Sequence, residues 1–197
     1  MAARNRDLSV TCIPFFLREL RLCGNGLAVV PDVGEAAATL LALDLSHNNQ
    51  LNIADPVSEE RLAKMTRLRR LDLRHCNLTQ VARHEPTPNS DAGQRQLAED
   101  QRRQRNAAAG GSTLRTLPPV CSLGSNNATL EYLDLSHNAV SDFEQFRSLA
   151  VFKRMHTLAI TGNPVARSMT RDAYSEAVRK LCLKLSALKV FNGDAYT

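Results

Sequence analysis

Apolar and polar positions recur in one order at five places along the chain. The segments are Leu17-Arg-Glu-Leu20-Arg-Leu22-Cys-Gly-Asn25-Gly-Leu27, Leu40-Leu-Ala-Leu43-Asp-Leu45-Ser-His-Asn48, Leu68-Arg-Arg-Leu71-Asp-Leu73-Arg-His-Cys76-Asn-Leu78, Leu130-Glu-Tyr-Leu133-Asp-Leu135-Ser-His-Asn138-Ala-Val140 and Met155-His-Thr-Leu158-Ala-Ile160-Thr-Gly-Asn163-Pro-Val165. Within each, the L-x-L alternation predicts a short strand with leucines on one side and their neighbours on the other. The Asn, or Cys76 in its place, falls where the chain turns inward, and a side chain that satisfies backbone groups is needed there. Such strands pair in parallel only after a crossover, so the segments are expected to stack into a curved solenoid with one continuous leucine core.

The segments start at residues 17, 40, 68, 130 and 155, giving intervals of 23, 28, 62 and 25 residues. The long interval holds an insertion, Ala82–Ser112, that is polar, nearly free of large apolar residues and closed by Gly-Gly; it is expected to be a disordered loop. Leu114-Arg-Thr-Leu117-Pro-Pro-Val120 reads as the rear half of a repeat resuming after it, so five to six repeats are expected in all. After Asn163-Pro164, the spacing of Tyr174, Ala177, Val178, Leu181, Cys182 and Leu185 predicts a helix over Met169–Leu185. With the extended piece that follows, this helix hides the last leucines, as a solenoid end requires. The expected organisation is a single domain over 1–193, with 82–112 the insertion and 164–193 a C-terminal cap.

The L-x-x-L-x-L-x-x-N/C-x-L spelling resembles the short-repeat leucine-rich-repeat family that includes phosphatase-regulatory, spliceosomal A-prime and axonemal dynein light-chain repeat proteins. The likeness covers residues 16–193 apart from the insertion. Gly162-Asn-Pro, the helix with Tyr174 and the ending Leu188-Lys-Val-Phe-Asn-Gly193 resemble that family's C-terminal cap, with Phe191 in a leucine position. The N-terminal cap is reduced to about sixteen residues, in which Val10, Ile13, Phe15 and Phe16 are to cover the first repeat. The resemblance implies an α/β leucine-rich-repeat solenoid with a parallel sheet on its concave face. It also implies a non-catalytic scaffold that binds protein partners through that face and needs no cofactor. As a setting it implies a multi-subunit assembly, cytoskeletal or ciliary axonemal in the first place, spliceosomal ribonucleoprotein and nuclear in the second, phosphatase-regulatory in the third.

Composition adds limits. With 5% aromatic residues and no Trp among 197, the core must be built mainly from aliphatic side chains, and a base-stacking platform has few residues to stand on. Five scattered cysteines without a C-x-x-C point to neither a disulfide framework nor a zinc site. No apolar run approaches the length of a membrane span, and MAARNRDLSV lacks the apolar core of a secretory signal, so an intracellular chain is expected. The net charge is +5 and uneven: residues 151–197 hold 8 Lys+Arg against 3 Asp+Glu.

Candidate chemistry lies between the leucines. Equivalent positions on neighbouring strands stand about 4.8 Å apart and form columns. One is Asp44, Asp72, Asp134; another is His47, His75, His137. Stacked carboxylates and imidazoles invite a metal or acid–base reading, but Asp-Leu-Ser-His-Asn is a common spelling of this repeat, and that reading outweighs it. The concave face is expected to dock protein through Arg21, Asp44, His47, Arg70, Asp72, Arg74, His75, Tyr132, Asp134 and His137. In this expectation the aspartates receive a partner's basic side chains and Tyr132 is an aromatic anchor. The cluster Arg67, Arg69, Arg70, Arg74 could meet nucleic acid directly, the lesser reading because the arginines alternate with core leucines and Asp72. No nucleophile elbow, P-loop or dinucleotide fingerprint occurs.

Overall fold

The computed structural model describes residues 16–83, 120–121 and 129–195. Each L-x-L becomes a three-residue strand: β1 Glu19–Arg21, β2 Ala42–Asp44, β3 Arg70–Asp72, β6 Tyr132–Asp134 and β7 Thr157–Ala159. With β8 Val190–Phe191 and β9 Asp194–Ala195 they form one sheet in the order β1-β2-β3-β6-β7-β8-β9, parallel except for the β8–β9 pair. The register sets leucine on leucine, Leu20↔Leu43↔Leu71↔Leu133↔Leu158, and closes on Phe191.

Three leucine columns form the core on one face of this sheet. Leu40, Leu68, Leu130 and Met155 precede the strands, Leu43, Leu71, Leu133 and Leu158 lie within them, and Leu45, Leu73, Leu135 and Ile160 follow. All of these are buried, and each such side chain contributes roughly 1.5–3 kcal/mol relative to exposure. Leu17, Leu20 and Leu22 of the first segment are only partly buried, and Phe16 is 85% exposed. Phe16 therefore does not cover the first repeat as expected, while Val10, Ile13 and Phe15 lie outside the described residues.

β3 pairs directly with β6, Arg70 opposite Tyr132, so the 62-residue interval adds no strand between them. The interval's ends meet instead in a separate antiparallel pair, β4 Ala82–Arg83 with β5 Val120–Cys121. The expected insertion lies outside the described residues apart from Ala82 and Arg83, as does most of Leu114–Val120.

Helices and tighter turns make the return legs. Helix α1, Pro56–Lys64, starts where Asp55 accepts a bond from Val57 N at 2.9 Å and Pro56 opens the first turn. The C-terminal helix runs over Arg171–Lys184, capped by Thr170, whose hydroxyl accepts from Ala173 N. It buries Leu181 and Cys182, with Leu185 just beyond its end, while Tyr174 meets Phe143 edge-on with ring centroids 6.0 Å apart. Among the described residues no helix is long and apolar enough to cross a membrane.

The turn asparagines complete the frame. Asn138 Oδ1 accepts from Cys76 N and Leu78 N at 3.0 and 3.1 Å, while its Nδ2 donates to Leu73 O and Leu135 O at 2.9 Å. Asn48 does the same for Asn25 N, Leu27 N, Leu22 O and Leu45 O. One buried amide thus joins two coils through four backbone groups. Cys76 has no such fork: its thiol donates to Leu45 O at 3.1 Å, and burial pushes its pKa up to about 11.

Candidate protein-docking face

The polar positions of the strands project from the other, concave face of the sheet. The first column across it is Glu19, Ala42, Arg70, Tyr132, Thr157, and the second is Arg21, Asp44, Asp72, Asp134, Ala159. Charge is thus gathered over β1 to β6, whereas β7 offers small neutral side chains.

Arg70 and Tyr132 face each other at the centre of the sheet. The Arg70 guanidinium carbon lies 4.2 Å from the Tyr132 ring centroid, a stacked cation–π arrangement. Among the described residues that guanidinium forms no ion pair or side-chain hydrogen bond, so its N–H edge is held in place and unspent. Tyr132 donates its hydroxyl to Asp134 Oδ2 at 3.3 Å. Partial burial and the neighbouring Asp134 and Asp72 carboxylates raise its pKa.

The structure changes the expectation for the aspartates. Asp44 Oδ1 accepts from Ser46 N and Oγ at 3.0 and 2.6 Å, Asp72 Oδ1 from Arg74 N at 3.1 Å, and Asp134 Oδ1 from Ser136 N at 2.9 Å. Each carboxylate closes the turn that follows its own strand, the local bond an Asp side chain makes readily. Asp72 and Asp134 are only 5% and 6% exposed, and the base they receive is the chain's own Arg74. Arg74 Nη2 lies 2.8 Å from Asp72 Oδ2, and its Nε lies 3.5 Å from Asp134 Oδ2. The hydrogen bond to Asp72 leads the rise in the Arg74 pKa. Arg21 remains highly exposed, 3.8 Å from Glu19.

The histidines do not sit on the strands. His47, His75 and His137 occupy the turns after β2, β3 and β6, in left-handed conformation with φ of 59°, 53° and 56°. Their exposed rings stack along the rim, with centroids 4.6 and 4.5 Å apart and planes within 16° and 4°. Lone pairs of stacked rings run parallel and do not converge on one ion, and the described residues hold no cluster suited to a metal. His75, between two rings, has its pKa lowered, first by partial desolvation and then by the charge His137 and His47 would carry. Sequence reasoning missed Gly162, the next residue of this column: a Cβ there would lie 2.5 Å from His137 Nδ1, so glycine makes room for the ring. The signal was present, since Thr-Gly-Asn replaces Ser-His-Asn in the fifth segment.

Comparison with known proteins agrees with this architecture. Two leucine-rich-repeat family models match, one at residues 67–87 and one at 126–142. Among solved structures the chain is similar to one in the Drosophila melanogaster SNF/U2A' complex, with 17% identity, 91% of this chain and 74% of that chain covered, and a TM-score of 0.53. An internalin (inlF) from Listeria monocytogenes str. 4b F2365 aligns at 16% identity over 89% of this chain and 47% of that chain, with a TM-score of 0.30. No curated protein sequence matches the chain.

Proposed function

We propose, for a chain that is a leucine-rich-repeat protein, the role of a non-catalytic adaptor that holds a protein partner against its concave face within a larger assembly. Leucine-rich repeats bind proteins. The observation that carries the reading here is the Arg70–Tyr132 pair: a stacked guanidinium with its donor edge unengaged, beside a half-buried ring, is the kind of rigid Arg–aromatic anchor around which interfaces form. Asp72, Arg74 and Asp134 stiffen the surface on which that anchor stands, and Arg21 and Asp44 supply its polar margin.

Of the settings, a ribonucleoprotein complex gains support from the shared fold with a chain of the SNF/U2A' complex. In that reading the chain meets the protein component rather than the RNA, since the Asp72 and Asp134 carboxylates and the scarcity of aromatic rings disfavour a bare nucleic-acid strand on this face. No observation of the chain favours the cytoskeletal or axonemal setting. Native purification of the tagged chain, with and without ribonuclease and followed by mass spectrometry, tests the role. A reproducible protein set that survives ribonuclease is expected; a chain recovered alone overturns the adaptor reading. RNA-processing proteins in that set would support the ribonucleoprotein setting, and tubulins or dyneins would replace it with the cytoskeletal one.

A further inference from the structure

A recess lies at the rim of the sheet opposite the histidine stack, where the chain enters the strands. It is a cleft of about 460 Å³ lined by Phe16, Arg18, Thr39, Leu41, Arg67 and Arg69. Its origin is a mismatch between neighbouring coils. At the position just before each strand, the first and third segments carry Arg18 and Arg69, while the second carries Leu41. Two positions earlier, Arg67 of the third segment stands level with Thr39 of the second and Phe16 of the first. The second coil therefore forms a short, apolar floor between taller guanidinium-bearing walls.

The walls are cationic and largely unspent. Among the described residues Arg18 and Arg67 form no ion pair or side-chain hydrogen bond, and Arg69 has only the half-buried Glu131 at 3.8 Å. Three positive charges lining one cleft repel, and an anion entering among them relieves that repulsion. The floor selects among anions. A nucleic-acid strand is held by its phosphates together with rings on which its bases stack, and among the described residues Phe16 is the one ring lining the cleft. An acidic peptide offers what both surfaces need: carboxylates for the guanidinium forks and an aliphatic side chain for Leu41 and the Thr39 methyl.

We propose that this cleft is a docking site for a short acidic segment of a protein partner, with one apolar side chain set between carboxylates. The site is separate from the Arg70–Tyr132 anchor and stands or falls without it. Fluorescence anisotropy of the labelled peptide Asp-Glu-Glu-Leu-Asp-Glu on the full chain at low ionic strength tests it. Saturable binding is expected, weakened at least about ten-fold by the double charge reversal Arg18→Glu with Arg67→Glu, and to a similar extent by Ser in place of the peptide's Leu. Both arginine side chains are exposed, and unchanged circular dichroism and melting confirm that the variant is folded. Arg70→Ala should leave the affinity unchanged, which separates this site from the concave face. Absence of saturable binding overturns the proposal, as does binding that the charge reversal leaves intact. It is equally overturned if oligouridylate binds more tightly with the same arginine dependence, or if the reversal abolishes self-association of the chain, since the occupant would then be nucleic acid or a second copy.

Discussion

Two columns of side chains cross the same turns one residue apart, and they obey different constraints. The inner column, Asn48, Cys76, Asn138 and Asn163, is buried and committed to backbone groups of adjoining coils. The outer column, Gly24, His47, His75, His137 and Gly162, is exposed; the first four donate their backbone N–H to the next coil, the histidine side chains form no hydrogen bond among the described residues, and all five share a φ between 53° and 72°. At the inner position the chain needs a particular donor and acceptor in a particular place. At the outer position it needs only a residue that tolerates the left-handed conformation, which costs an ordinary L-residue roughly 1–2 kcal/mol and glycine nothing. Neighbouring residues of one turn thus differ in how much freedom is left for function. Where the frame asks for little, as at His47, His75 and Arg70, the surface is open to be specified by a partner.

Substitution in each column sharpens the contrast. Asn138→Ala should be the most damaging, because it takes the side-chain partner from Cys76 N, Leu78 N and Leu73 O in the interior, while Leu135 O keeps the bond from Asn163 Nδ2. A loss on the order of 4 kcal/mol is expected in urea unfolding, given about 1–3 kcal/mol for each unmet buried group and partial relaxation. A cost below about 1 kcal/mol would show that the inner column is dispensable.

Gly162→Ala comes next, at roughly 2 kcal/mol, since it adds a Cβ at φ +72° and against the His137 ring. The same substitution in a His137→Ala background should cost about half as much, because the ring contact is gone and only the backbone strain is left. Equal costs in the two backgrounds would mean that the ring moves aside freely and that the stack exerts no constraint.

The third effect is smaller and depends on pH. The folded pKa of His75 lies below its ordinary value, so over the interval between them the unfolded chain binds the proton more readily. Stability therefore falls as pH drops from about 6.5 toward the folded value, and below that the loss is complete. The urea midpoint should decline over this window, and His75→Gln should decline less. A variant that tracks the wild type would remove the stack as a source of pH sensitivity.

The same division explains what could be read from the sequence. The apolar pair of each L-x-L and the asparagine beyond it, with Ile160 and Cys76 as the exceptions in residue type, recur because the core and the turn impose them coil after coil, so strands, register and fold class were legible. Asp72 and Asp134 repeat too, and repetition made them look like a surface feature. Their carboxylates are turn closures, and the clue was the Ser or Arg two residues on, whose backbone N–H they accept. The direct pairing of β3 with β6 was hidden by the interval between them, because chain length says nothing about whether intervening residues add to a sheet. The rim cleft was invisible for another reason. It arises from a difference among repeats, Leu41 between Arg18 and Arg69, and alignment emphasises what repeats share.

The Arg70–Tyr132 pair is expected to bind a partner and not to hold up the fold. The direct test is the double variant Arg70→Ala with Tyr132→Ala, followed in two readouts at once: recovery of the protein set that co-purifies with the wild type, and the urea midpoint of the isolated chain. Recovery should drop at least about ten-fold, while stability changes by less than about 1.5 kcal/mol, since no buried backbone group loses its partner. Full recovery of the same proteins by the folded variant would contradict the claim.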